Sequence, residues 1–192
     1  FLAAVGAGAG AVTLFTVGQT VSPLKDLALL APRRPDVGPQ GFPVNRTAGG
    51  ARVTKADMGP SYRLEVRGAV ERELTLTIDD LRAMQLHEAT LPIACVEGWS
   101  ASVPWRGVSV RSLMHAAGAA DGATVRLESM QRSGAYRTSE LNPSQIADPD
   151  TMLALDVGDE PLHADHGAPL RLIGPNRPGV QQTKWVNRVV VV

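Results

Sequence analysis

The chain has 192 residues, 44% of them hydrophobic and 20% charged, which suits one well-buried globular unit and leaves little room for a second. Nineteen Lys and Arg balance 19 Asp and Glu, and no Lys/Arg-rich run occurs, so no phosphate-neutralising face is offered and no nucleic-acid partner is expected. A single cysteine, Cys95, excludes an intramolecular disulfide, a Cys-x-x-Cys redox pair, a Cys-rich zinc site and a Cys-x-x-Cys-His haem attachment.

In chain order, Phe1 to Val21 carries no charge and is interrupted only by Gly, Thr, Gln and their like. Residues 1–22 therefore read as a transmembrane or export-signal segment, since about twenty apolar residues span a bilayer. Starting on Phe and not Met, the sequence is expected to continue upstream. Residues 23–60 change character, with prolines at 23, 32, 35, 39, 43 and 60, the pair Arg33-Arg34 and no apolar period. They read as an extended Pro/Gly-rich linker. The folded domain is expected over 61–192.

Within that domain, alternation predicts strands at Tyr62 to Val66 and Leu74 to Leu76, and a capping-box pattern at Thr77 to Asp80 opens a short helix around Leu81 to Met84. The motif region at 91–108 follows. Val110 to Ala117, stopped by Gly118, is the clearest helix of the domain. Alternation returns in Thr124 to Leu127, Leu170 to Ile173 and Lys184 to Val192, with turn signals at Gly158-Asp159 and Gly174-Pro175. Short strands punctuated by short helices predict a mixed α+β domain with a largely β core. The absence of a Gly-x-Gly-x-x-Gly or phosphate-loop motif between strand and helix argues against a nucleotide fold.

The chemistry concentrates in Leu91-Pro92-Ile93-Ala94-Cys95-Val96-Glu97-Gly98-Trp99-Ser100, followed by Val103-Pro104-Trp105-Arg106-Gly107-Val108. An apolar strand delivers one cysteine to a loop rich in Gly, Trp and Ser, where rigid scaffolds display reactive groups. Cys95 is a buried thiol, a metal ligand or a nucleophile. A thiolate suits a soft or high-valent metal, whereas Cys/His catalysis would need one of His87, His115, His163 or His166 as base. The residues alone leave these open.

Cys95-Val96-Glu97-Gly98-Trp99-Ser100 with Val103-Pro104-Trp105-x-Gly107 resembles the metal-binding loop of sulfite oxidase-type molybdopterin oxidoreductases. Further on, Gly158-Asp159-Glu160-Pro161-Leu162, then Asp165-His166-Gly167-Ala168-Pro169-Leu170-Arg171-Leu172, and finally Gln182-Thr183-Lys184-Trp185-Val186 resemble that family in order and spacing, so the likeness covers about Asn45 to the C-terminus. The resemblance implies the sulfite oxidase molybdopterin-binding fold and a molybdenum-molybdopterin cofactor ligated by Cys95. It further implies cofactor contacts from Arg171, Lys184 and His166, donors from Gln182 and Thr183, an asparagine closing over the cofactor at Asn45 and a small hydroxyl near the pterin at Ser129.

The implied reaction is a two-electron oxygen-atom transfer on a small sulfur- or nitrogen-containing oxo substrate. Members that oxidise sulfite carry an arginine-bearing loop after the cysteine. Here Glu97 brings an acid, and the loop looks closer to the branch of periplasmic methionine-sulfoxide reductases, while Lys184-Trp185 looks closer to the sulfite oxidase branch. Arg106, Arg132 and Arg137 are candidates to line an anion-binding pocket. With no haem motif, electrons are expected to pass to a separate partner, such as a membrane cytochrome, and the apolar N-terminal stretch points to the outer face of a bacterial cytoplasmic membrane. The rival readings are a non-catalytic domain of the same fold serving electron transfer or docking, a cysteine hydrolase, and a structural surface domain.

Overall fold

Two sheets form where buried and solvated positions alternate along short strands. The structure, a computed structural model, describes residues 2–17 and 36–192. The first sheet is built from β1 (Leu64–Gly68), β2 (Leu74–Leu76), β5 (Val125–Ser129), β6 (Thr138–Leu141) and β10 (Val186–Val191), in the order β2-β1-β10-β5-β6. Its β1–β10 pair is parallel and its other pairs are antiparallel. The second sheet runs β3 (Leu86–Ala94), β4 (Ser100–Ser109), β7 (Met152–Val157), β8 (Glu160–Pro161), with β9 (Arg171–Ile173) also paired to β7. This is the expected α+β architecture with a largely β core.

The helices are short and start on side-chain caps. In α3 (Ile78–Ala83) the Thr77 hydroxyl accepts from the Asp80 N–H while the Asp80 carboxylate accepts from the Thr77 N–H, the reciprocal capping box read from sequence. In α4 (Val110–Ala117), Ser109 caps the N-terminus, Gly118 closes the C-terminus in the left-handed conformation, and Val110, Leu113, Met114 and Ala117 fall on one buried face. Asn142 caps α5 (Pro143–Ala147).

Strand β7 lies between two cores and is buried along its whole length. Leu153 and Leu155 join Leu64, Val66, Leu113, Leu127 and Val189 in the larger core, while Met152, Ala154 and Val157 join Phe42, Ile93, Trp99 and Trp105 in the second. Alternation accounts for residues 152–155, and a bulge at Leu155, where Gly107 pairs with Ala154 but Arg106 pairs with Asp156, shifts it so that Val157 also faces the second core. Ordinary alternation along β4 sends Val103 and Trp105 into the second core and Val108 into the first.

Two expectations for the N-terminal third fall only partly on described residues. Helix α1 (Leu2–Val17) is 16 residues, roughly 24 Å at 1.5 Å per residue, and no described helix is long and apolar enough to cross a membrane. The expected segment 1–22 extends into residues 18–22, which lie outside the described residues, as does 23–35 of the expected linker. The described part of that linker packs onto the body. Phe42 is buried in the second core, and Ala48 and Ala51 of α2 (Ala48–Ala51) join Val53 and Trp185 in a third cluster. The Gln40 side chain donates to the Pro161 carbonyl and accepts from the His163 N–H, and Asp165 accepts from the Ala48 N–H. The prolines and glycines here shape turns that carry a few apolar anchors inward, so the described part of this stretch lies along the body.

Candidate functional site

Cys95 sits at the tip of the β3–β4 hairpin. Ala94 and Ser100 are the last paired residues, the Cys95 N–H donates to the Trp99 carbonyl at 2.9 Å, and the Gly98 N–H donates to the Cys95 carbonyl at 3.1 Å. Gly98 has φ 87°, a turn conformation that a side chain would strain. Trp99 is buried below the tip, in the core cluster against which Cys95 packs. The hairpin thus holds the thiol half-buried, in a small cleft lined by Pro43, Asn45, Ile93, Trp99, Arg171, Gly179 and Lys184.

The loop from 174 to 182 closes one side. A Cβ at Gly179 would stand 2.6 Å from the Ala94 carbonyl oxygen, so this backbone lies directly on the strand end that delivers Cys95. Gly179, Asn45 and Lys184 also line an adjoining cleft with Arg46, Gln131, Tyr136, Gln182 and Thr183. The two clefts form a continuous groove between the 42–46 stretch, the 131–136 loop and the 179–184 stretch.

Buried basic groups run along this groove. Arg171 is 2% exposed; it donates through Nη1 to the His166 carbonyl at 2.9 Å and lies 5.4 Å from the Trp105 ring centre. Burial pushes its guanidinium down to about 9, against the opposing pull of nearby Cys95. The Lys184 ammonium donates to the carbonyls of Asp165 (2.7 Å) and Arg46 (3.0 Å). Burial, and then the neighbouring Arg171, push it down to about 6, with Asp165, Cys95 and Glu97 pulling the other way. Arg177, under the 174–182 loop, is lowered by burial as well. Among the described residues no carboxylate lies within ion-pair distance of Arg171, Arg177 or Lys184.

Of the residues expected from sequence, Asn45, Cys95, Arg171, Gln182, Thr183 and Lys184 line the groove. Ser129 and His166 stand beside the groove and not on its lining. The Ser129 hydroxyl donates to the Lys184 carbonyl and accepts from the Gln131 N–H, so it braces the groove wall and does not line the groove. His166 is fully buried beside it, its ring stacked on Phe42 at 3.7 Å and its Nε2 hydrogen-bonded to the Pro39 carbonyl. Burial lowers it to about 4, so its ring is neutral. The guessed anion pocket does not assemble: Arg106 pairs with Glu88 on the sheet face, Arg132 faces Asp57, and Arg137 is exposed. Sequence reading missed Arg46, Gln131, Tyr136, Gly179 and Arg177; for Arg177 and Gly179 the one signal was the turn that begins at Gly174-Pro175.

For a cysteine hydrolase a histidine must reach the thiol. No histidine hydrogen-bonds Cys95 among the described residues; His87 pairs with Asp150, and His163 accepts from the Asp165 N–H. No three His, Cys, Asp or Glu side chains converge among the described residues, so within the groove the chain itself offers a metal Cys95 alone. The polar groups fit an anionic, hydrogen-bonding cofactor. Arg171 Nε, Arg177 Nε, Gln182 Oε1 and His166 Nδ1 are buried without a protein partner, and such groups cost about 1–3 kcal/mol each unless a ligand or water meets them.

Comparison with known proteins agrees with that chemistry. The family described as "oxidoreductase molybdopterin binding domain" matches residues 51–192. A protein of Azospira oryzae, provisionally named a protein-methionine-sulfoxide reductase subunit, is 32% identical over 151 residues, covering 78% of this chain and 56% of its own length. Mitochondrial sulfite oxidase of Drosophila melanogaster is 30% identical over 156 residues, covering 68% of this chain and 27% of its own. The crystal structure of sulfane dehydrogenase SoxCD from Paracoccus pantotrophus superposes with a TM-score of 0.62 at 26% identity, over 69% of this chain and 38% of that one. The chain spans between 19% and 56% of the length of the curated relatives cited and their kin. With buried basic side chains that lack carboxylate partners beside a lone thiol, and with 142 consecutive residues matched, this chain belongs to the oxidoreductase molybdopterin-binding domain family.

Proposed function

We propose that the domain catalyses two-electron oxygen-atom transfer on a small sulfur- or nitrogen-containing oxo substrate, with Cys95 as the protein ligand of molybdenum. The observation that carries this reading is the buried basic pair Arg171 and Lys184 without carboxylate partners, together with the unpartnered Arg171 Nε and Gln182 Oε1, on the lining of the Cys95 groove. Arg171 and Lys184 would hold the anionic parts of molybdopterin by charge-assisted hydrogen bonds, with Asn45, Gln182 and Thr183 lining its sides. When bound, the cofactor supplies the oxygen-transfer chemistry; the protein binds, orients and shields it. Trp99 and Trp105 keep the floor beneath Cys95 dry, and neutral His166 fixes the 39–42 stretch against the Arg171 side.

The N-terminal helix supports a membrane-proximal placement. Its side chains from Leu2 to Thr13 are uncharged and exposed, so the described body does not cover them. We place the domain on the outer face of a bacterial cytoplasmic membrane, drawing or delivering electrons through a separate redox partner. The deciding experiment is molybdenum analysis with pterin fluorescence on protein made in cells that supply the cofactor, beside Cys95→Ser. About one molybdenum per chain, lost or spectrally altered in the variant, is the expected result under the one-thiolate reading. Protein of both kinds without molybdenum or pterin would overturn it.

A further inference from the structure

The two clefts of the groove measure about 70 and about 10 Å³, whereas pockets that bury a small-molecule ligand measure about 300–1,000 Å³. A pterin cofactor therefore enters only if one wall moves aside. Two walls are anchored in the core: Phe42 fixes the 42–46 stretch, and Gln182 to Trp185 are buried ahead of β10. The third wall, residues 130–137, is the loop of the β5–β6 hairpin, and it is exposed from Arg132 to Arg137. Its base is stapled. The Met130 N–H donates to the Trp185 carbonyl at 2.8 Å, the Ser129 N–H to the Arg137 carbonyl at 2.9 Å, and the Gln131 side chain to the Tyr136 carbonyl at 2.9 Å. The tip is held from outside the hairpin. Arg46 donates through Nη2 to the Ser133 carbonyl at 3.1 Å and to the Gly50 carbonyl at 3.3 Å. A Cβ at Gly134 would stand 2.6 Å from Arg46 Nη1, so this glycine makes room for the guanidinium. The other ties of the tip are weaker: the Arg132 N–H reaches the Ala51 carbonyl at 3.3 Å, and the Arg132–Asp57 pair is solvated and 3.9 Å apart. Arg46 is joined to the groove as well, since its own carbonyl accepts from the Lys184 ammonium at 3.0 Å.

We propose that the 130–137 loop is the gate through which molybdopterin enters and leaves the groove, and that Arg46 is its latch, a positioning residue that holds the loop shut. The proposal rests on the cofactor binding in the Cys95 groove, as argued above. With Arg46 bonded to Ser133, the loop presents Gln131 and Tyr136 to the cleft that Asn45 and Lys184 line from the other side. Once that bond breaks, the exposed tip swings on its stapled base and the cleft widens. A latch and a cofactor contact differ in their kinetics. Loss of a contact speeds release alone, whereas loss of a latch raises the open fraction and speeds release and uptake together.

The test compares Arg46→Met, which keeps the length and loses the donors, with Arg46→Lys, which keeps a charged donor. Release is followed as molybdenum and pterin lost from the loaded protein over time. Uptake is followed by giving cofactor-free protein molybdopterin freshly extracted from another molybdoenzyme. Both rates are expected to rise about tenfold in Arg46→Met, the worth of one charge-assisted hydrogen bond, and to stay within about threefold of wild type in Arg46→Lys. Faster release with unchanged or slower uptake, or a lysine that restores neither rate, would overturn the latch. Trypsin supplies a readout that needs no cofactor. On the protein as purified, cleavage after Arg132 and Arg137 is expected to be several-fold faster in Arg46→Met and unchanged elsewhere in the domain, and equal cleavage at those two sites would count against the proposal. Should Arg46→Met not fold, Gly134→Ala attacks the same contact from the loop side, with the same paired acceleration expected and a release-only effect again overturning it. Wild-type protein that takes up no molybdenum defeats the proposed function instead, and the trypsin comparison then still decides whether Arg46 holds the loop.

Discussion

The molecule buries charge in two places and treats it in opposite ways. Next to α3, Asp156 is 3% exposed and is gripped by Arg82 through two hydrogen bonds of 2.6 and 3.0 Å, with Arg106 at 4.0 Å. The pairing raises Arg82 above its ordinary value, chiefly through its hydrogen bond to Asp156. In the groove, Arg171 and Lys184 are as deeply buried, yet both are pushed down and neither has a carboxylate within reach among the described residues. A buried charge that is matched belongs to the fold; one left unmatched costs stability, and in this chain such charges surround the one thiol.

The largest effect should come from breaking the unmatched side. Arg171→Met removes a buried charge of similar length and replaces it with an apolar side chain. Cofactor retention is expected to fall by at least about a hundredfold, because charge-assisted hydrogen bonds to an anion are worth about 1.5–3 kcal/mol each. The cofactor-free protein is expected to move the other way, to equal or greater stability by about 1–3 kcal/mol, since replacing buried unsatisfied charge with apolar volume is often stabilising. Molybdenum content after gel filtration reads the first quantity and urea denaturation of the cofactor-free protein reads the second. A variant that lost both retention and cofactor-free stability would mean that Arg171 is structural, as Asp156 is.

The matched side should respond with one sign only. Arg82→Ala leaves the Asp156 carboxylate buried against β7 with Arg106 at the edge of ion-pair range, and stability is expected to fall by about 2–4 kcal/mol. Arg82 is about a third exposed, which places the loss below that of a fully enclosed pair. Cofactor content per folded molecule should stay within about twofold of wild type, because α3 does not line the groove. Chemical denaturation together with metal analysis of the folded fraction checks both parts.

This contrast also explains what the sequence disclosed. Helix α4 was legible because Ser109, Gly118 and the apolar face at Val110, Leu113, Met114 and Ala117 all agree on it. Strand β7 was not, because Met-Leu-Ala-Leu-Asp-Val is buried on both faces and shows no alternation, and its bulge at Leu155 exists only in the pairing with β4. The β3–β4 hairpin was seen only as a strand leading into the cysteine loop, since Pro92, Pro104 and Gly107 break the usual strand signal. In the site, Arg171, Lys184, Gln182 and Thr183 were legible through resemblance. Periodicity would have called them surface residues, whereas all four are buried. Ser129 and His166 lie beside the groove and off its lining, since motif position locates a residue to within a side-chain length of the groove but does not say which way it points. Arg177 and Gly179 matter through contacts with Ala94 and Gln182 that the sequence separates by up to 85 residues or hides in a turn.

A third, exposed set of charges marks the low end of the scale. On the solvent face of the first sheet, Arg188 of β10 bridges Glu65 of β1 at 2.9 Å and Glu128 of β5 at 3.1 Å. Glu65 is lowered from its ordinary value of 4.5, first by its hydrogen bond to Arg188. A carboxyl lowered in the folded state adds stability that is fully present above its unfolded value of 4.5 and is lost as pH falls through the lower folded value. Glu65→Gln should therefore cost under about 1 kcal/mol at pH 7, converge with wild type as the pH drops well below 4.5, and shrink toward zero in molar salt. Denaturation midpoints over that pH range, at low and high salt, provide the check. A cost that persisted in acid or in salt would show that Glu65 contributes by packing across the β1–β10 pair, and the graded contrast between matched, unmatched and solvated charge would lose its lowest step.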